Sequence, residues 1–171
     1  ECRSLYFLLG VAVELESRNS LADNGVKEIA ADVVVLDPPL GVPMHAVSDN
    51  SSLRDWVFGS PPRSNSDFAW LQTAIMSLRP GGVALVLTSH SAAFRGGQDG
   101  QIRQSMLNAG AIVSVISLPS NLRRNVQIPP LLWVLRRPFE GEQPRPIQLI
   151  DATTLGRPGR RGREIHKFAD E

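Results

Sequence analysis

Cysteine is nearly absent from this 171-residue sequence, and long apolar runs are absent altogether. The single cysteine, Cys2, excludes an internal disulfide and any metal site built from several cysteines. The longest nearly unbroken apolar stretch, Leu5 to Val13, has nine residues, whereas a membrane-spanning helix needs about 20. A disulfide framework and a bilayer span are therefore excluded for this sequence, and a cytoplasmic location is expected.

No excess of one charge sign distinguishes the chain, because 18 Lys and Arg residues nearly balance 17 Asp and Glu residues. Their distribution is uneven, since residues 1–60 hold four basic and nine acidic residues, and residues 61–135 hold six basic and two acidic residues. Sixteen of the basic residues are arginine, which suits bidentate phosphate contacts, although GC-rich coding also raises arginine content. A polyanionic partner would therefore meet a local patch, and charge alone does not establish DNA binding.

Length and composition are those of one globular domain. The chain is 42% hydrophobic and 20% charged, which is too apolar for a disordered tail. Domains commonly contain about 100–200 residues. The first residue is Glu1 and not methionine, and no basic region precedes the apolar start as a secretory signal requires. This start is compatible with a piece of a longer protein.

Hydrophobic periodicity predicts strands that alternate with helices. The predicted helices are residues 5–15, a second helix between an N-cap at Ser66-Asp67 and a stop at Pro80, and residues 100–108. The predicted strands are residues 31–36, 83–88, 112–118, 131–135 and 147–150. This alternation predicts an α/β sheet with helices on both faces. Residues 41–65 follow neither period, and loops of this length are usually functional or mobile.

A carboxylate and two prolines directly follow the first predicted strand. In an open α/β sheet the binding crevice lies at the carboxyl ends of the strands, where Asp37-Pro38-Pro39-Leu40 stands. The prolines fix their φ angles and donate no backbone hydrogen bond, so the turn is stiff and offers its carbonyl oxygens as acceptors. Such a turn suits an incoming amine. A strand-terminating turn without chemistry is the alternative for an isolated Asp-Pro-Pro.

This strand and turn resemble the catalytic motif (Asp/Asn/Ser)-Pro-Pro-(aromatic) of amino-group DNA methyltransferases that use S-adenosylmethionine. Other segments, spread over residues 19 to 165, follow the order of the modification (methylase) subunit of type I restriction-modification systems (HsdM-like). They are Asp67-Phe68-Ala69-Trp70-Leu71, Leu78-Arg79-Pro80-Gly81-Gly82, Phe94-Arg95-Gly96-Gly97, Ile102-Arg103, Val115-Ile116-Ser117-Leu118-Pro119, Gln127-Ile128-Pro129, Leu149-Ile150-Asp151-Ala152 and Leu155-Gly156. The resemblance implies a Rossmann-like methyltransferase sheet that is truncated at its N-terminal side. Residues 1–155 would form the C-terminal part of the catalytic domain, and residues 156–171 a basic, flexible tail.

The resemblance also implies roles for individual residues. Asp37 and Pro38 would accept hydrogen bonds from the exocyclic amine of a flipped adenine, which leaves the amine lone pair facing the methyl donor. Pro39 would hold the amine together with Asp37 and Pro38. Leu40 would line the base pocket where the family normally has an aromatic residue, whose stacking is worth about 1–3 kcal/mol. Asn19 resembles a polar residue that commonly lies near the cofactor adenine in this family.

The family's Gly-rich cofactor turn, of the Asp-Pro-x-x-Gly-Ser-Gly kind, does not occur in this chain. In the family it lies upstream of the matched region and binds S-adenosylmethionine. Either the chain begins after this turn, or the gene has lost it. We therefore expect an adenine-specific DNA methyltransferase that works with specificity and restriction subunits as a full-length protein, and an inactive isolated chain. A non-catalytic module of the same fold, which docks to DNA or protein, is the alternative.

Four arginines in predicted loops are candidates for contact with DNA phosphates: Arg63, Arg95, Arg123 and Arg124. Solvated loop charges are the alternative interpretation of the same residues. His90 follows the second predicted strand, but methylation of an amine needs no strong base, so a structural role is expected for it. No spacing of His, Asp and Glu indicates a metal site, and we expect no metal.

Three tryptophans could form an aromatic platform or belong to the core. Trp70 and Trp133 fall in a predicted helix and a predicted buried strand, which favours core packing. Trp56 falls in the long loop, where it would either cover the target base or hold the loop down. The sequence leaves these two roles of Trp56 open.

Overall fold

The computed structural model describes residues 12–17, 19–21, 29–47, 55–122, 127–139, 141 and 145–155. In chain order the elements are β1 (Ala31–Leu36), α1 (Met44–Val47), α2 (Asp67–Ser77), β2 (Leu78–Thr88), α3 (Gly97–Asn108), β3 (Ile112–Ser117), β4 (Leu131–Arg136) and β5 (Gln148–Asp151). A 3₁₀ turn over His90–Ala93 connects β2 to α3. The predicted tail, residues 156–171, lies outside the described residues. Within the described ranges, no helix has the length and apolar character needed to cross a membrane.

The five strands form one mixed sheet in the order β1-β2-β4-β3-β5. β1 is parallel to β2, and β5 is parallel to β3, whereas β4 lies between β2 and β3 and runs antiparallel to both. Four strands therefore run in the same direction, and their carboxyl ends lie at one edge of the sheet together with the beginning of β4. We call this edge the carboxyl edge.

All five predicted strands are present, and β1 has the predicted bounds. β2 begins at Leu78, five residues before the predicted start, because the preceding helix ends earlier than the sequence pattern suggests. Arg79 precedes Pro80, and a residue before proline is biased away from the helical region. A Cβ atom at Gly82 would lie 2.8 Å from the carbonyl oxygen of Ala31, so β1 and β2 approach each other closely there.

Both long helices pack on one face of the sheet, so the predicted cover of both faces is wrong for the described residues. Phe68 of α2 contacts Trp133 of β4 edge to face, with ring centroids 6.2 Å apart. The main core cluster draws its residues from α2, α3 and the inward positions of the strands: Phe68, Leu71, Ala74, Ile75, Leu78, Ala84, Val86, Ala92, Ile102, Met106, Ala111, Ile112, Leu131, Trp133 and Leu135.

The opposite face has no described helix over it, and Val33 and Val35 of β1 are 61% and 68% exposed there. Connection handedness explains this arrangement. The crossovers from β1 to β2 and from β2 to β3 progress across the sheet in the same direction. Since such crossovers are right-handed, their helices lie on the same side.

Residues 12–17 contain no helix, although the helix predicted over residues 5–15 includes the first four of them. All six residues are exposed, so no apolar face is buried there. A short helical segment without a packed face is marginal in water, which explains why periodicity alone does not produce a helix over residues 12–15. The remainder of this predicted helix lies outside the described residues.

Candidate functional site

The Asp37-Pro38-Pro39-Leu40 turn follows β1 at the carboxyl edge of the sheet. Leu36 pairs with Val86, so Asp37 lies beside the last two residues of β2. Pro38 is buried, Leu40 is half-buried, and Asp37 and Pro39 are exposed. The buried proline anchors the turn, while the carboxylate beside it is accessible to a partner from outside.

Two hydrogen bonds join the residues after this turn to the end of the long loop. The Ser66 hydroxyl donates to the carbonyl oxygen of Val42 at 2.8 Å, and the Met44 amide donates to the carbonyl oxygen of Arg63 at 3.0 Å. Ser66 stands at the predicted N-cap position of α2, but its side chain makes no capping hydrogen bond. The hydroxyl instead holds the segment that begins two residues after Leu40.

A small second core cluster lies under the same segment and consists of Leu21, Met44 and Ala69. Trp56 and Trp70 are partly buried and pack against it. This packing fits the role of holding the loop down, and the role of covering the target base stays a prediction. The predicted core roles of Trp70 and Trp133 are confirmed by their packing against the buried clusters.

Asn19 lies two residues from this cluster. Its side-chain oxygen accepts a hydrogen bond from the Leu21 amide at 3.1 Å, and the residue is exposed. Leu21 is buried with Met44, which follows Leu40 by four residues. The Asn19 segment is thus attached to the same part of the molecule as the Asp37 turn, and its cofactor role stays a prediction.

The four arginines predicted to contact phosphate have different positions. Arg63 is exposed, and its carbonyl oxygen is the one that the Met44 amide contacts. Arg123 and Arg124 lie outside the described residues, although the Leu118 amide and the Pro130 carbonyl close the base of their loop at 3.1 Å. Arg95 is half-buried and lies inside a polar cluster beside the carboxyl edge.

Arg95 makes ion pairs with the carboxylates at the start of both long helices. Its Nη2 donates to Asp67 Oδ2 at 2.5 Å, and its Nε donates to Asp99 Oδ2 at 2.5 Å. Asn65 bridges Arg95 and Asp99, because its oxygen accepts from Arg95 Nη2 at 3.0 Å and its Nδ2 donates to Asp99 Oδ2 at 2.9 Å. Asn65, Asp67 and Asp99 are all buried.

The end of β2 joins the same cluster through two serines. The Ser89 hydroxyl donates to Asp67 Oδ2 at 2.6 Å, and Arg95 Nη1 donates to the hydroxyls of Ser89 and Ser91. We call these six residues the Arg95 cluster: Asn65, Asp67, Ser89, Ser91, Arg95 and Asp99. It connects the long loop, β2 and α3 at one point.

Electrostatics explain how an arginine can be tolerated at this half-buried position. Burial acts to lower the pKa of the Arg95 guanidinium, but the hydrogen bonds and charges of Asp67 and Asp99 outweigh burial and raise that pKa above the usual arginine value. The guanidinium therefore stays charged, and it neutralises two carboxylates that would be unfavourable if they were buried alone.

Sequence reasoning missed the acidic partners of Arg95, although the sequence contains a signal for them. Asp67 and Asp99 are the only two acidic residues in residues 61–135. Both are buried, and both pair with the same arginine. Isolated acids in a basic stretch are therefore the feature that could have indicated a buried ion pair.

Other polar features of the described residues lie away from the Asp37 turn or are local. His90 lies in the 3₁₀ turn, and its ring centroid is 6.1 Å from that of Phe94. Hydrogen bonds from Thr153 hold the pKa of the Asp151 carboxyl below its usual value at the end of β5. In the described ranges, no group of three or more His, Cys, Asp or Glu residues is arranged to hold a metal ion.

A cavity of about 310 Å³ lies near the start of β2, at the end of the strand opposite the carboxyl edge. Its lining residues are Val57, Phe58, Ile75, Met76, Arg137 and Pro138. The carboxyl end of α2 and the end of β4 contribute to this cavity, and both lie near the start of β2. The cavity is therefore remote from Asp37.

The family model for N-6 DNA methylases matches residues 7–170 of this chain. The chain belongs to the N-6 DNA methylase family. The matched region includes the Asp37 turn and the whole sheet, so the resemblance found in the sequence is confirmed.

Known members of this family and solved structures agree with that assignment. The HindI type I restriction enzyme methylase subunit of Haemophilus influenzae is 36% identical over 111 residues, which cover 63% of this chain and 25% of the relative. This chain also superposes on the type I restriction-modification methyltransferase subunit of Streptococcus thermophilus, with a TM-score of 0.79 at 29% identity. The superposition covers 96% of this chain and 36% of the Streptococcus subunit. The match with this N-6 DNA methylase chain spans about a quarter of the length of the HindI subunit.

A third comparison bears on the fold alone. A Listeria monocytogenes protein described as a class I S-adenosylmethionine-dependent methyltransferase superposes with a TM-score of 0.55 at 22% identity, and covers 74% of this chain and 38% of that chain. The predicted α/β methyltransferase fold is therefore confirmed.

Proposed function

We propose that this chain holds the target amine in an adenine-specific DNA methyltransferase of the type I restriction-modification kind. The observation that carries the proposal is the position of Asp37, an exposed carboxylate next to buried Pro38 at the carboxyl edge of two parallel strands. The match to the N-6 DNA methylase family and the likeness to type I methylase subunits support the same function.

The chemistry required of these residues is to orient an amine. The Asp37 carboxylate and the Pro38 carbonyl oxygen accept hydrogen bonds from the two N–H groups of an adenine that has left the base stack. Occupying both hydrogens directs the nitrogen lone pair towards the methyl donor, and the negative oxygens stabilise the positive charge that develops on nitrogen. Pro39 keeps the turn stiff, and Leu40 packs against the base.

S-adenosylmethionine supplies the methyl group when it is bound. Among the described residues, Asn19 is the one proposed to contact this cofactor, and its side-chain oxygen accepts a hydrogen bond from the Leu21 amide. The roles of Asp37, Pro38 and Leu40 therefore concern the side of the site that receives the adenine. Binding of the cofactor by the whole protein is part of the proposal.

The proposed partners are double-stranded DNA with a flipped adenine and, in a cytoplasmic complex, specificity and restriction subunits. Arg63 is exposed, and its carbonyl oxygen accepts a hydrogen bond from the Met44 amide at the start of α1. Three residues later, the Ser66 hydroxyl donates to the Val42 carbonyl oxygen. We assign Arg63, with Arg123 and Arg124, to contact with the DNA backbone. Backbone contacts fix the register of a protein on the duplex without reading its sequence.

Substitution of Asp37 in a full-length methylase subunit that carries this segment tests the proposal. Asp37→Ala removes the acceptor and should lower the rate of methyl transfer to DNA by about 10²–10³-fold, which is typical when one catalytic hydrogen-bond partner is lost. Asp37→Asn is the matched control, because an amide keeps one acceptor oxygen and the family motif admits Asn. The measurement is transfer of labelled methyl groups at saturating cofactor. Wild-type rates for Asp37→Ala would contradict the proposed role.

A second candidate function is a docking module that keeps the fold without catalysis. Leu40 favours it, because leucine supplies no ring to stack on a flipped base. Calorimetric titration of S-adenosylmethionine into the chain and into an upstream-extended protein separates the two candidates. Binding by the extended protein, followed by methylation of DNA, supports the enzyme, whereas absence of binding by both proteins supports docking.

A further inference from the structure

We propose that Arg95 is a positioning residue, which sets the Leu40–Val42 wall of the adenine site through the tripeptide Asn65-Ser66-Asp67. This inference rests on the proposed function of the Asp37 turn. It replaces the phosphate contact that the sequence suggested for Arg95. It also assigns a role to Ser66, a buried residue that is distant in sequence from the catalytic motif.

All three nitrogens of the Arg95 guanidinium donate hydrogen bonds within the protein. Nε contacts Asp99, Nη2 contacts Asp67, and Nη1 contacts the hydroxyls at the end of β2. The side chain is 26% exposed, and two carboxylates already neutralise its charge. A DNA phosphate would have to displace one of these carboxylates, which would then remain buried without its cation. The geometry therefore favours an internal role.

The internal role reaches the adenine site through neighbouring residues of one short segment. Asn65 and Asp67 both bind Arg95, which fixes the backbone on either side of Ser66. The Ser66 hydroxyl donates to the Val42 carbonyl at 2.8 Å. Val42 is two residues from Leu40, so a shift of this tripeptide would move the residue that packs against the base.

A second connection runs through the end of β2. Ser89 follows that strand directly, and its hydroxyl donates to Asp67 at 2.6 Å. The Asp37 turn lies beside the same end of β2, because β1 and β2 are parallel and paired up to Leu36 and Val86. The Arg95 cluster thus connects the end of β2 with the tripeptide Asn65-Ser66-Asp67.

Small displacements matter at such a site, because a misplacement of about 1 Å can slow an enzyme by about a hundredfold. A positioning residue should therefore change the turnover number and leave the affinity for DNA nearly constant. A residue that contacts phosphate should do the opposite. Its loss should weaken DNA binding and reduce the dependence of log K on log salt by about 0.9.

The test uses a full-length methylase subunit that carries this segment, with its partner subunits. Arg95→Lys keeps the charge but cannot form the same forked contacts, and Ser66→Ala leaves the Arg95 ion pairs in place while removing the bond to Val42. Arg79→Lys is the matched control, because Arg79 pairs with Asp32 at 2.5 Å at the opposite end of β1 and β2, where both side chains are exposed. Ser66→Ala keeps the test decisive if Arg95→Lys folds poorly.

We expect Arg95→Lys and Ser66→Ala each to lower kcat by about tenfold to a hundredfold, with the KM for DNA and the salt dependence of DNA binding unchanged. The double variant should be no slower than the slower single variant, because both substitutions interrupt one connection. Arg79→Lys should retain the wild-type kcat. The measurements are steady-state methylation corrected for the folded fraction, and DNA binding at several salt concentrations.

Three results would overturn the inference: a wild-type kcat for Ser66→Ala, additive losses in the double variant, or a raised KM for DNA at a wild-type kcat in Arg95→Lys. Asp37→Ala measured in the same assay separates this inference from the proposed function. An inactive Asp37→Ala variant together with a wild-type Ser66→Ala variant removes the inference alone. Full activity of Asp37→Ala removes the proposed function itself.

Discussion

Replacing Thr88 by valine should destabilise the protein, because it removes the acceptor of a fully buried indole N–H. Trp133 Nε1 donates to Thr88 Oγ1 at 2.8 Å, and the two residues are 1% and 0% exposed. Valine has nearly the size of threonine, so the change creates little cavity. The dominant cost is the unsatisfied indole group, about 1–3 kcal/mol. At a urea m value of about 2 kcal/mol per molar, the unfolding midpoint should fall by roughly 0.5–1.5 M.

A double-mutant cycle isolates this hydrogen bond from the other effects of the two substitutions. Trp133→Phe removes the donor, so a subsequent Thr88→Val change leaves no buried donor without a partner and should be nearly neutral. Equilibrium urea unfolding should be followed by far-ultraviolet circular dichroism, because Trp133→Phe itself alters the fluorescence. The reasoning is refuted if Thr88→Val costs the same, within about 0.5 kcal/mol, in both backgrounds.

Further substitutions test the proposed adenine pocket and the close contact between β1 and β2. Leu40→Tyr should raise kcat/KM for DNA methylation at least about fivefold in the full-length protein, since base stacking is worth about 1–3 kcal/mol, and an unchanged or lower value would contradict a base-facing Leu40. Gly82→Ala should lower the free energy of unfolding by about 1–3 kcal/mol, because its Cβ would lie 2.8 Å from the Ala31 carbonyl oxygen. Gly100→Ala in α3 should instead raise the free energy of unfolding by about 0.5–1 kcal/mol, because its Cβ would meet no atom closer than 3.6 Å. The urea midpoints of the two variants test both expectations.

The strands and the Asp37 turn were predictable because their signals are local. A run such as Val33-Val34-Val35 favours a strand in any context, and Pro38 and Pro39 end it at the next residues. The predicted bounds of β1 agree with the structure for this reason. The helix predicted over residues 5–15 depended on a partner for its apolar face, and the described part of it has none.

The partners of Ser66 and Arg95 show where local rules reach their limit. Ser66 precedes α2 at the usual N-cap position, yet its hydroxyl contacts Val42, 24 residues away in the chain. Arg95 has the position of a surface loop cation, yet it pairs with Asp67 28 residues away. Local rules predict a partner nearby in the chain for each side chain. The observed partners, Val42 and Asp67, are distant in the chain and are brought close by the tertiary fold.

The sequence by itself determined the family, the strand segments and the Asp37-Pro38-Pro39-Leu40 turn, because each depends on residues adjacent in the chain. Tertiary structure decided the order of the strands, with β4 inserted between β2 and β3. It also decided that both long helices cover one face and that Arg95 is enclosed by two carboxylates. These features depend on pairings between distant segments, whose energies are set by burial and geometry that no local pattern encodes.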